Sequence, residues 1–153
     1  MTIEARISQL GYELPAAAKP VGSYVPAVRT GSLVVTAGQL PMRDGKLTAQ
    51  GKVPTDVSVP DAQAAAAQAV LNALAAVAGE IGSLDSITRI VRLNVFVNSA
   101  AGFTDQAKVA NGASDLLVEI FGEPGRHTRC AIGAAELPLN APVELDLTVQ
   151  VRD

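Results

Sequence analysis

The sequence predicts an α+β layer fold, a mixed sheet carrying two helices on one face. Three observations lead there. Segments that alternate apolar and polar residues are interspersed with two longer segments of helical period, in the order strand, strand, helix, strand, helix, strand, strand. Of 153 residues, 48% are hydrophobic, yet only 3% are aromatic and none is Trp. The core must therefore be built from Ala, Val, Leu and Ile, whose small volumes favour close helix-to-sheet packing. The strand faces turned away from the helices keep more apolar residues than a lone monomer would leave in water, which points to a homo-oligomer.

Thr2 is placed to cap a helix over about residues 3–10, closed by Gly11. Residues 16–22 follow as a linking arm, so residues 1–21 form an N-terminal helix and arm on one domain spanning 1–153. Tyr24-Val25-Pro26-Ala27-Val28-Arg29 reads as a strand, with Pro26 marking an edge or a bulge. Thr30-Gly31-Ser32 turns the chain into a second strand over 33–37, making a hairpin. Arg43-Asp44-Gly45-Lys46 is a turn signal, and 47–59 has the composition of an irregular loop.

Ser58 and Pro60 open the longest helix, about 60–82, along which Ala62, Ala65, Ala66, Ala69, Ala73, Ala76 and Val77 form a smooth stripe. Gly79 and Gly82 weaken its end. Gln63, Gln68 and Asn72 interrupt the apolar run, so a buried helix is expected rather than a membrane span. Residues 86–97 form a strand with Val91, Leu93, Val95 and Val97 on one face and Ile90, Arg92, Asn94 and Phe96 on the other. That second face is half apolar, as at a subunit contact. A helix over about 103–121 carries Val109, Leu116, Leu117, Ile120 and Phe121.

The formal net charge is −3 and no run of Lys or Arg occurs, which argues against a nucleic-acid partner. One cysteine forbids an internal disulfide; with no apolar leader after Met1, it leads to the expectation of a cytoplasmic protein without a membrane partner. The single histidine, His127, has no Cys or carboxylate at ligand spacing, so no metal is expected, and no glycine-rich phosphate loop or cofactor motif is present.

The last two strands carry the chemistry. In 142–151, Val143, Leu145, Leu147, Val149 and Val151 share one face and Glu144, Asp146, Thr148 and Gln150 the other. In 128–134, Cys130, Ile132 and Ala134 form the more apolar side, opposite Arg129, Ala131 and Gly133. If both apolar sides pack on the core, Arg129 and Glu144 emerge on the same face. Ala131 and Gly133 then leave room for a ligand beside Arg129. Cys130 is expected on the core side as an inert thiol. Arg129 can hold a carboxylate through two parallel hydrogen bonds, and Glu144 can move protons. A cross-strand ion pair is the structural alternative.

The spacing of Arg129, Leu137-Pro138 and Glu144 resembles the C-terminal signature of the RidA/YjgF family. Gly22-Ser23-Tyr24 with Ala27-Val28 is similar to that family's entry strand, and Ala37-Gly38-Gln39-Leu40-Pro41 to its Ser-Gly-Gln-Ile-Pro. Asn72 and Val109-Ala110-Asn111 match helix motifs of the family. The resemblance implies a chorismate-mutase-like fold, a homotrimer and three clefts between subunits. It also implies hydrolysis of small enamines and imines, such as 2-aminoacrylate and its imine tautomer, to 2-keto acids and ammonia. Arg129 would grip the substrate carboxylate and Glu144 would handle the water. Tyr24, Gly38, Gln39, Asn111 and Ala131 would contact the substrate. The partners would be the imino or 2-keto acid and further copies of the chain. Departures mark a divergent subgroup: Ala37 replaces the family serine, Ser23 and Val25-Pro26 flank Tyr24, and Ser114 stands where an aromatic is frequent. Two rival functions follow, carboxylate binding without turnover and a ribonuclease activity, the latter disfavoured by the acidic balance.

Overall fold

The computed structural model describes residues 1–17, 19 and 22–153, so part of the linking arm lies outside the described residues. Its framework is set by the Ala-rich helix α2, Val59–Ile81. The Ser58 hydroxyl accepts from the Asp61 amide at 3.2 Å and Pro60 sits in the first turn. These satisfy or remove amide donors that have no partner within the helix. Ala62, Ala65, Ala66, Ala69, Ala73 and Ala76 are buried, joined by Val70, Leu74 and Val77. By length and composition α2 could cross a membrane, but 61% of its apolar window is buried inside the protein.

The stripe packs on a mixed sheet built from β1 (Ala27–Thr30), β2 (Leu33–Thr36), β5 (Ile87–Asn98), β6 (Thr128–Ala134) and β7 (Val143–Val151). Their order is β1-β2-β7-β5-β6, antiparallel throughout except for the β5–β6 pair. Helix α3, Gln106–Phe121, lies beside α2 on the same face. Two short strands, β3 (Met42–Arg43) and β4 (Lys46–Leu47), make a separate hairpin over Asp44 and Gly45, both at positive φ. One hydrophobic cluster runs from Ile7 through α2, α3 and the helix-facing side of the sheet to Val151.

Three local expectations need correction. Residues 24–26 are not strand; β1 starts at Ala27, and Tyr24 stands in the bend before it, 53% exposed. Helix α3 starts at Gln106, because Phe103 folds back onto the Ala100 carbonyl. The expected N-terminal helix is present as α1 (Ile3–Gln9) and packs into the same core through Ile7; the Ile3 amide donates to Asp85 Oδ1 and the Leu84 amide to Glu4 Oε1, tying it to the turn before β5. Along β5 the pairing with β7 slips between Ile87 and Arg89 and again between Ile90 and Arg92. The slips turn Ile90 into the core and leave Val91 half-buried, the reverse of simple alternation.

Among the described residues no element covers the sheet face away from the helices. Val28 and Val35 are 52% and 42% exposed there, and Ile132 on β6 is 48% exposed. Roughly half of each side chain's apolar burial is forgone at these positions.

The two long helices touch through Gly112, where an added Cβ would stand 2.1 Å from the Gln63 carbonyl oxygen. Backbone cannot yield there as a flexible side chain would. Gly112→Ala is therefore expected to lower stability by about 1–3 kcal/mol, although alanine is the better helix former by about 1 kcal/mol. Urea denaturation of the two proteins measures the difference. An unchanged midpoint would show that α2 and α3 can separate at no cost.

Candidate functional site

Glu144 lies on the uncovered face of β7, between two buried neighbours, Val143 and Leu145. The segment after β2 crosses beside it. Gln39 donates to the Leu145 carbonyl at 2.7 Å and accepts from the Leu145 amide at 3.0 Å. This pairing brings Gly38 against the carboxyl group, and a Cβ at Gly38 would stand 2.3 Å from Glu144 Oε1. A side chain there would displace the carboxylate, so the glycine is needed for the close approach. Opposite Glu144 on β5 is Phe96, and two pairs further, on the same face, Asn94 faces Asp146. Asn94 Nδ2 donates to Asp146 Oδ1 at 2.8 Å, and Arg92 Nε donates to Asn94 Oδ1 at 3.1 Å. Burial pushes the Glu144 carboxyl above the ordinary value of 4.5, and the negative charge of Asp146 pushes it further the same way.

Tyr24, Gly38 and Gln39 also line a cleft of about 1000 Å³ closed by Leu14, Leu40 and Leu71. Asn72 on α2 fixes its wall. Its amide donates to the Leu40 and Met42 carbonyls, each at 2.9 Å, while its oxygen accepts from Gln68. Asn72 thus holds the loop that carries Gly38 and Gln39.

Arg129 sits elsewhere. In the register of β5 with its neighbours, Leu93 is paired with both Arg129 and Leu147, and both leucines are fully buried on the helix side. Phe96 is paired with both Ile132 and Glu144 on the open side. Arg129 and Glu144 therefore project from opposite faces of the sheet, against the expectation of a shared face. The cause is the position of β6. It is an edge strand, its helix-facing side is only partly covered, and small residues there admit α3 rather than a ligand. Ala131 packs against the core cluster, and a Cβ at Gly133 would lie 3.0 Å from Ser99 Oγ. The same inversion puts Cys130 on the open face, exposed rather than in the core.

The Arg129 guanidinium is held by α3. Nη1 donates to Asn111 Oδ1 at 2.8 Å and to Ser114 Oγ at 3.1 Å. Among the described residues Arg129 makes no ion pair, so the cross-strand pair with Glu144 does not form. Ser114 Oγ is also 2.8 Å from His127 Nε2, and His127 Nδ1 is 2.6 Å from the Gly125 carbonyl. Asn111 thus joins Arg129, whereas Gly38 lies against Glu144, Gln39 pairs with its neighbour Leu145, and Tyr24 lines the cleft beside Gly38 and Gln39. Ser114 and His127 escaped sequence reasoning as site residues. Two spacings would have found them: Ser114 is one helical turn from Asn111, and His127 has the strand parity of Arg129. Among the described residues no group of three His, Cys, Asp or Glu side chains could hold a metal ion.

The Leu137-Pro138 motif closes the turn between β6 and β7. Leu139 and Asn140 both adopt left-handed backbone there, at φ 57 and 58. Gly51 donates to the Asn140 carbonyl at 2.8 Å and Gln50 to that of Leu139 at 3.1 Å. The buried Asn98 amide reaches Asn140 Oδ1 at 3.2 Å. These bonds offset the strain of non-glycine residues at positive φ.

A mixed sheet covered by helices on one face, with Arg129 at its edge and Glu144 on its bare face, defines a YjgF-type α+β protein. The chain belongs to the family described as "YjgF/chorismate mutase-like, putative endoribonuclease", which matches residues 4–150. Protein TCP17 of Trypanosoma cruzi is 43% identical over 152 residues, covering 99% of this chain and 95% of that protein. A protein of Dermatophagoides farinae named 2-iminobutanoate/2-iminopropanoate deaminase is 29% identical over 137 residues, covering 90% of this chain and 92% of its own length. Among solved structures, a protein of unknown function from Agrobacterium tumefaciens superposes with a TM-score of 0.92 at 46% identity, covering 98% of this chain and 92% of that one.

The raised Glu144 carboxyl has a consequence for stability. The folded chain keeps its proton to higher pH than the unfolded chain, so the folded state binds more protons in that window. Stability contributed by this group is full below 4.5 and falls as pH rises through the folded-state value. Glu144→Gln removes the cost, and the variant is expected to melt higher than the wild type at pH 7 and level with it near pH 4. Thermal melts at both values check this; equal melting temperatures at pH 7 would show that ionised Glu144 is well solvated.

Proposed function

We propose that three copies of this chain assemble around their uncovered sheet faces and hydrolyse small imino acids to 2-keto acids and ammonia in the clefts between them. One observation carries the reading. A cation fixed by neutral acceptors and a carboxyl with a raised proton affinity project from opposite faces of one sheet. Within one chain they cannot act on one small molecule. A ring of copies brings the edge of one against the face of the next. The exposed Val28, Val35 and Ile132 supply apolar surface for that contact. The activity itself is taken from family membership and from the name of the Dermatophagoides relative.

The chemistry needs little more than orientation. Arg129 holds the carboxylate of the imino acid, which fixes the C=N carbon in the cleft. Ionised Glu144 takes a proton from water as the water oxygen bonds to that carbon, and passes it to the nitrogen as the C=N pair moves there, giving an amino alcohol. Glu144 then takes the hydroxyl proton as the new carbonyl forms and delivers it to the nitrogen as the C–N bond breaks. A 2-keto acid and ammonia leave, and Glu144 is ionised again. A carboxyl raised above its ordinary value is suited to both directions of transfer. Gly38 permits its close placement, and Tyr24 and Gln39 wall the adjoining cleft.

The assay generates imines from amino acids with an amino-acid oxidase and traps survivors as semicarbazones; addition of this protein is expected to lower the trapped product. Arg129→Ala is expected to weaken 2-oxobutyrate binding by about 2–5 kcal/mol. Glu144→Gln is expected to spare binding and lower turnover by roughly 10²–10⁴-fold. Turnover surviving in Glu144→Gln while Arg129→Ala loses binding would make the cleft a carboxylate-binding site without the proton transfers described.

Light scattering after gel filtration should give the mass of a trimer, and a monomer at micromolar concentration would remove the shared cleft. Mixing separates one-chain from two-chain sites. Trimers refolded together from equal amounts of Arg129→Ala and Glu144→Gln should recover about a quarter of wild-type activity, since random mixing pairs an intact arginine with an intact glutamate at that share of contacts. No recovery would place both residues of a working site on one chain.

A further inference from the structure

We infer that Ser114 and His127 are positioning residues that set the plane of the Arg129 guanidinium, an inference resting on the carboxylate-holding role proposed above for Arg129. The argument is one of hydrogen counting. The Gly125 carbonyl oxygen only accepts, so the 2.6 Å contact requires the hydrogen on His127 Nδ1. In the neutral ring Nε2 is then an acceptor, and the Ser114 hydroxyl, 2.8 Å away, donates to it. With its hydrogen so directed, Ser114 Oγ presents lone pairs to Arg129 Nη1 at 3.1 Å. The other Nη1 hydrogen goes to Asn111 Oδ1 at 2.8 Å.

Both Nη1 hydrogens lie in the guanidinium plane, so fixing both fixes the plane. Nε and Nη2 are left as the edge that can fork a carboxylate. Reversing the histidine tautomer would set the Nδ1 lone pair against the Gly125 carbonyl and leave the serine hydroxyl hydrogen undirected, free to turn toward Arg129 and weaken its second anchor. The frame behind the relay is stiff. Gly125 is buried, and a Cβ there would stand 2.4 Å from the Leu117 carbonyl oxygen of α3, the helix that also carries Asn111 and Ser114. The turn supplying the acceptor for His127 is thus pressed against the helix supplying the acceptors for Arg129. Such a relay orients the arginine with neutral groups only, leaving its charge for the ligand.

The test uses 15N-labelled protein and the same protein in calorimetry and turnover assays. In the free wild type, the imidazole nitrogens should report the Nδ1–H tautomer. The Arg129 Nη hydrogens should give separate signals from restricted rotation. Ser114→Ala should merge those signals, weaken 2-oxobutyrate binding and raise KM about tenfold, with kcat changed less than about twofold. Ser114→Thr, which keeps a hydroxyl, should restore both the signals and the affinity. Ser114→Ala with unchanged Arg129 signals and unchanged affinity overturns the inference. So does a fall in kcat with KM unchanged. If the wild type binds no 2-keto acid, the carboxylate role of Arg129 fails; the positioning role is then decided by the Arg129 signals alone, and it too fails if Ser114→Ala leaves them separate.

Discussion

The structure depends on how β5 is clamped between β6 and β7. This strand, Ile87–Asn98, is antiparallel to β7 and parallel to β6, and its register decides which face every site residue takes. A shift of one residue on either side would exchange the faces. Leu93 ties Arg129 to the helix side, and Phe96 ties Glu144 to the bare side. The register is held by burial, since Leu93, Val95, Val97, Leu145 and Leu147 are all but fully buried in one cluster. A slip would move this row into water and bring Asn94 and Asp146 into the core, at a cost of several side-chain burials.

The small side chains of α2 serve the same constraint. An alanine stripe lets the helix axis approach the sheet closely, and Gly112 lets α3 approach α2 as closely. Close layers place Asn111 and Ser114 within hydrogen-bond reach of Arg129 on the edge strand. They also place Asn72 within reach of the loop at Leu40 and Met42. Large aromatic residues in that layer would hold α3 away from β6 and leave the arginine without its acceptors.

The electrostatics of the two halves differ for a physical reason. Arg129 is surrounded by neutral acceptors, which orient a charge without cancelling it. Glu144 is half-covered beside another carboxylate, an environment that favours its proton. Among the described residues neither half has a counter-charge: no anion pairs with Arg129 and no cation with Glu144. That complementarity, together with the apolar residues left exposed on the sheet, is what the proposed assembly of copies would satisfy.

Much was legible in the sequence. The Ala stripe with Ser58 and Pro60 defines α2 almost to the residue, because capping and period are local properties. The alternation of Val143 to Val151 defines the buried face of β7, because that strand lies in the middle of the sheet and one of its faces is fully covered. The spacing of Arg129, Leu137-Pro138 and Glu144 pointed to the right family, and the left-handed turn at Leu139 and Asn140 gives that spacing its structural basis. The orientation of β6 was not legible. At an edge strand both faces are partly exposed, so hydrophobicity does not label them, and Ile132 and Cys130 misled by being apolar on the open side. The slips along β5 were equally hidden, since a bulge is set by pairing with β7 and not by residues 87–92 themselves. Nor did residue order show that Ser114 and His127 meet at Arg129. Helix turn and strand parity put each on the right side of its own element, but only the packing of α3 against the edge of the sheet brings them together.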